Sequence, residues 1–146
     1  MVRALYRWWS ALLFLLIVVQ VGFAGYGAFY AANKLEDEGS TIDDEVFMDG
    51  FGLHAGFGYI AILAGLIFLA IGVAAGIGRW RLGRHGLLAL LLVIQLFLAW
   101  FGFEVPSIFG FLHPVNALLI FTVSAWIAMD EWRSSRMVGR RPTAPM

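Results

Sequence analysis

Four long apolar blocks, residues 8–32, 51–78, 86–103 and 105–129, leave this chain few ways to fold. Each approaches or exceeds the ~20 residues a helix needs to cross a ~30 Å hydrocarbon layer. No water satisfies the backbone inside such a layer, so each crossing segment must pair its own N–H and C=O groups as a helix. Only 14% of the residues are charged, against about 25% in ordinary soluble domains, and the mean hydropathy is +0.82. The expectation is an all-α integral membrane protein: one domain over 1–146, with spans at about 8–32, 47–78, 85–104 and 106–129. An acidic connection at 33–46 and a basic tail at 130–146 complete it.

The first block has some marks of a signal peptide, with Arg3 and Arg7 ahead of "SALLFLLIVVQV" and small residues in "GFAGYGA". Its apolar run continues to Ala32, long for such a segment, and it matches a later span, so it is read as a retained helix.

The zero net charge of the chain conceals a strong separation. Nine arginines (3, 7, 79, 81, 84, 133, 136, 140 and 141) face only Asp130 and Glu131 on one side, a net of +7. The other side has Lys34 against eight acids, including Glu36, Asp43, Asp44, Glu45, Asp49 and Glu104, a net of −7. Basic residues near span ends mark the cytoplasmic face, so both termini are expected there, in a multi-pass protein of the cytoplasmic membrane. Trp8, Trp9, Trp80 and Trp132 fit the same boundary as anchors. Nothing here points to nucleic acid. The absence of cysteine excludes disulfides, thiolate metal sites and covalent haem attachment, so a redox group would be held without a covalent bond.

The chain also repeats itself. "LFLLIVVQVGFAGYG" in the first span matches "LALLLVIQLFLAWFG" in the third: Gln20 and Gln95 correspond, and a glycine, Gly27 or Gly102, follows each by seven residues. "FGLH" at 51–54 matches "GFLH" at 110–113 in the spans that follow. The expected architecture is an up-down four-helix bundle of two similar hairpins, in which helices two and four are diagonal partners.

His54 lies five residues past Asp49, about 7.5 Å along a helix, and His113 lies seven past Pro106, about 10 Å. The two imidazoles therefore share a depth near the outer face, pointing at each other if both face the axis. Neighbouring helices pack 8–10 Å apart, which puts diagonal axes roughly 12–14 Å apart. That gap suits two imidazoles with a flat macrocycle between them, and histidine is an axial ligand of haem iron. Gly22, Gly25 and Gly27 on the first span and Gly102 on the third would give such a group room. Asn116, one turn inward from His113, would orient the ring or a cofactor substituent.

These residues resemble the haem-binding core of transmembrane b-type cytochromes, where histidines on diagonal helices hold haem and glycines on the others make space. The resemblance implies one non-covalent haem b ligated by His54 and His113, and single-electron transfer. The chain departs from the usual two-haem pattern by offering one matched histidine pair. Separately, "LHPVNALLIF" and the overall length resemble a family of small four-span bacterial membrane proteins; this supports the fold and brings no activity with it. One haem cannot carry electrons across the whole bilayer, so a quinol, a membrane complex or a basic extracytoplasmic redox partner is implied. The alternatives are a haem-free accessory subunit of a larger membrane complex and, more weakly, a small transporter or metal-binding protein.

Several features have plainer readings. His85 is expected at the inner interface without a partner. Gln20 and Gln95 are expected to bond across helices, and Gly52-x-x-x-Gly56 and Gly72-x-x-x-Gly76 to pack closely. Pro114 is expected to kink its helix. Asp130 and Arg133, at i,i+3 spacing, are expected to pair. Residues 36–38 or 43–45 could begin a helical extension of the loop. Glu104 reads equally as a proton carrier or as an interfacial span end.

Overall fold

Long uninterrupted apolar stretches with few breakers produce long helices. The computed structural model describes residues 2–36, 39 and 41–138; Asp37, Glu38 and the stretch 139–146, with Arg140 and Arg141, lie outside them. Helix α1 runs Val2–Lys34, α2 Asp44–Ala74, α3 Arg79–Glu104 and α4 Phe111–Val138, with a short π-helix at Pro106–Gly110 leading into α4. All four segments are long and apolar enough to cross a membrane.

The ends of α2 follow from local chemistry. Asp43 caps its start by accepting the Val46 N–H at 2.9 Å, and Asp44 and Glu45 in the first turn complement the helix dipole. The acidic extension expected at 43–45 thus forms. At the other end Gly76 takes a φ of +60°, which favours a residue without Cβ. This lets Gly76 N–H reach Val73 O at 3.0 Å and Ile77 N–H reach Gly72 O at 3.3 Å, the paired bonds that close a helix C-terminus.

Consecutive helices are neighbours and α4 returns to α1, while the α1/α3 and α2/α4 diagonals make no close backbone contact. Contacts such as Trp9 Nε1–H to Ala64 O at 3.1 Å and Arg84 to Asp130 at 2.7 Å show the neighbours running antiparallel. One end of the bundle carries the start of α1, the end of α4 and the α2–α3 turn, and we call it the terminal end. The other carries the α1–α2 and α3–α4 connections, and we call it the hairpin end.

Packing is unevenly distributed along the axis. Tyr6, Leu13 and Ile17 of α1 interlock with Ala64 and Phe68 of α2, Leu88, Leu91 and Leu92 of α3, and Ile120 and Ile127 of α4. Phe68 and Leu13 are each 1% exposed. Among apolar helices such contacts hold by van der Waals packing. Small residues allow close approach: a Cβ on Gly65 would lie 2.3 Å from Leu92 Cδ1. Apart from Gly27, Ala31 and Gly50 at the α1–α2 contact, every fully buried described residue lies on the terminal side of His54 and His113. Among the described residues the hairpin half has aromatic pairs, such as Phe47–Phe103 at 5.5 Å and Phe47–Phe51 at 5.2 Å, but no large side chain that is fully buried.

Pro114 leaves no break inside α4. It is the fourth residue of that helix, where the N–H it lacks has little to bond within the helix. The irregularity falls upstream, in the π-helical turn Pro106–Gly110, whose Gly110 backbone nitrogen would lie 3.6 Å from a Cβ on Gly102.

Candidate functional site

His54 comes from α2 and His113 from α4, and their rings meet across the axis with centroids 6.2 Å apart and planes 67° apart. Both are half-buried. They stand at the level where the packed core stops and the looser half begins.

Each histidine is served by the glutamine of its own hairpin. Gln20 donates from Nε2 to the His54 carbonyl at 2.6 Å, and Gln95 donates to the His113 carbonyl at 3.1 Å. The expected cross-helix bonding of both glutamines is thus present, and it is the same bond in both copies. Gly58 admits the Gln20 amide, since a Cβ there would lie 3.1 Å from Gln20 Nε2.

The copies then diverge. His54 Nδ1 bonds the backbone carbonyl of Gln20 at 3.1 Å. A carbonyl only accepts, so Nδ1 carries the hydrogen and the neutral ring presents a lone pair at Nε2. His113 Nδ1 is buried with no hydrogen-bond partner among the described residues. Asn116 does not reach the His113 ring: its Nδ2 donates to Leu91 O at 2.9 Å and to Gln95 Oε1 at 2.7 Å. Phe57 stands at the matching place in the first copy and packs on Phe23 at 4.8 Å. It has nothing to donate, and Gln20 Oε1 is correspondingly buried without a partner. Burying a polar atom in that way costs about 1–3 kcal/mol.

The glycines sit differently from one another. A Cβ on Gly27 would lie 2.8 Å from Gly50 O and 2.6 Å from Phe51 Cδ1, so Gly27 makes the α1–α2 close approach. Gly102 faces the π-helical turn. Gly22 and Gly25 have nothing within 4 Å of a Cβ position, and Gly22 lines an outer-surface groove of about 410 Å³ with Val19, Phe23, Tyr26 and Leu53, away from the space between the two histidines.

The donor set suits a flat group with two axial ligands. Two metal–nitrogen bonds of ~2.0 Å end to end, with half an imidazole on each side, span ~6 Å, matching the ring separation. No cluster of three or more His, Cys, Asp or Glu able to hold a bare metal ion occurs among the described residues.

The terminal end overturns two expectations. His85 is 1% exposed and has a partner: the Tyr6 hydroxyl donates to its Nε2, while its Nδ1 bonds the Arg81 carbonyl. Phe68 packs at a tilt against both rings, 4.5 Å from His85 and 4.9 Å from Tyr6. Asp130 pairs with Arg84 of α3 at 2.7 Å, in place of Arg133, and Glu131 pairs with Arg81 at 2.9 Å. Arg84 also lies over the Trp126 ring at 4.9 Å. An antiparallel neighbour brings the opposite charge closer than one turn of the same helix does. Comparison of the chain with models of protein families, with curated proteins and with solved structures gives no match.

Proposed function

We propose that the protein is a b-type cytochrome-like electron carrier of the cytoplasmic membrane, with both termini cytoplasmic and the hairpin end facing outward. His54 and His113 would be the axial ligands of one non-covalent haem b. The observation that carries this reading is the pair itself: two imidazoles on diagonal helices, 6.2 Å apart, one of them fixed with its Nε2 lone pair free. The position of the pair supports it, since no residue of 51–60 or 106–115 around the two histidines is fully buried. Bound haem supplies a one-electron couple. The chain's part is to hold the ligands: Gln20 and Gln95 hook the histidine backbones, and the Gln20 carbonyl sets the His54 tautomer and ring angle. A quinol, a membrane complex or a basic partner drawn by Asp43, Asp44, Glu45 and Asp49 would exchange the electron.

The test is the absorption spectrum of protein purified after expression with ample haem, before and after dithionite. A reducible low-spin haem spectrum is expected. His54→Ala and His113→Ala should each disrupt it, whereas His85→Gln, at the other end of the bundle, should not. Colourless protein would reject the cytochrome reading in favour of a haem-free accessory subunit. An unchanged spectrum in either alanine variant would reject the ligand assignment.

A further inference from the structure

We infer that the two histidines have unequal duties: His54 is the permanent ligand and His113 the releasable one, so that the α4 side admits a small neutral ligand such as a diatomic gas or free imidazole. This rests on the haem reading above and assigns the site a second, ligand-binding capacity.

The repeat supplies the comparison within one molecule. His54 is held by its ring, through Nδ1–H to the Gln20 carbonyl, and by its backbone, through the Gln20 amide. His113 is held by its backbone alone. Its Nδ1 has no partner among the described residues, and Gln95 Oε1 takes the Asn116 amide at 2.7 Å. A ring with no bond at Nδ1 pays nothing there to rotate away, whereas His54 would forfeit one.

The backbone agrees. The approach to His113 is the π-helical turn Pro106–Gly110, a form found often at functional sites. No residue from 106 to 115 is fully buried, so displacing this segment disturbs little packing. His54 lies one turn from Gly50, which is wedged against Gly27. With haem held by His54, His113 would be the ligand given up to a small neutral molecule, an exchange that would need no electron or proton.

The experiment is carbon monoxide binding to the dithionite-reduced, haem-loaded protein. A shifted spectrum is expected, at a rate that saturates with carbon monoxide because His113 must leave first. If the open arrangement is ~1–10% populated, His113→Gly should keep its haem and bind carbon monoxide ~10–100-fold more tightly. His54→Gly should fail to retain haem. Retained haem with no shift in the wild type would overturn the release while leaving the haem reading standing; the absence of any haem band would overturn both. If His54→Gly were the variant that gained affinity, the assignment would be wrong. A readout without haem is ¹⁵N-histidine NMR of the haem-free protein. One Nδ1–H tautomer is expected for His54 and an averaged signal for His113; equally locked rings would overturn the inference.

Discussion

Replacing each repeat glutamine by leucine separates the two halves of the bundle energetically. In Gln95→Leu two bonds vanish, the 3.1 Å one to the His113 carbonyl and the 2.7 Å one from Asn116. Side-chain bonds between membrane helices average ~0.6 kcal/mol with a maximum near ~1.7, so the loss is about 1–3 kcal/mol. Asn116 keeps its bond to Leu91 O and is not left stranded. In Gln20→Leu one bond vanishes, the 2.6 Å one to the His54 carbonyl, worth ~0.6–1.7 kcal/mol. The same substitution removes Gln20 Oε1, which is buried without a partner, a relief of ~1–3 kcal/mol. The His54 ring bond survives because its acceptor is backbone. Gln20→Leu should therefore lie near the wild type or slightly above it, with Gln95→Leu about 1–3 kcal/mol below. The assay is reversible unfolding in micelles of rising dodecyl sulfate fraction, followed by helical circular dichroism. If Gln20→Leu loses as much stability as Gln95→Leu, the two copies are not unequally satisfied and the reasoning fails.

Two further outcomes concern packing. Gly27→Ala drives a Cβ against the Gly50 carbonyl, which cannot give without separating α1 from α2, so a loss of ~1–3 kcal/mol is expected. Gly56→Ala, with nothing within 4 Å, should stay within ~0.5 kcal/mol in the same dodecyl sulfate titration. Tyr6→Phe leaves His85 Nε2 without its donor and should cost ~1–3 kcal/mol. In a double-mutant cycle with His85→Phe the pair should show a coupling of ~0.5–3 kcal/mol, and additive losses would mean that the bond contributes nothing.

Much of this arrangement could be read from the chain. Apolar length gave the four helices, and the spacing of Gln20, Gly27, His54 and their counterparts gave the repeat and the histidine pairing. Depth counted along a helix brought His54 and His113 level, and the rings do meet. The partner of His85 escaped because it is a tyrosine ahead of the expected first span. Tyr6, Ser10, Leu13 and Ile17 in fact form one buried stripe at helical spacing, a periodicity visible in the sequence once the charged start is counted as helix. Arg84 as the partner of Asp130 was not legible from local spacing, since it depends on the register of two antiparallel helices. Asn116 lies on the histidine side as expected, but bonds the glutamine in place of the ring. Which half of the bundle would be filled depends on how four faces meet in space, and no single segment carries that information.

That one-sided core has a consequence for how the protein matures. The contacts that hold the four helices in register gather at the terminal end, where the Tyr6 hydroxyl reaches across the α1/α3 diagonal to His85. None of them needs anything between His54 and His113. On the haem reading the helices would associate first and take the haem afterwards at the hairpin end, without passing through an unfolded state. The order expected if the histidine pair holds a group, assembly before loading, follows from where full burial of the side chains stops.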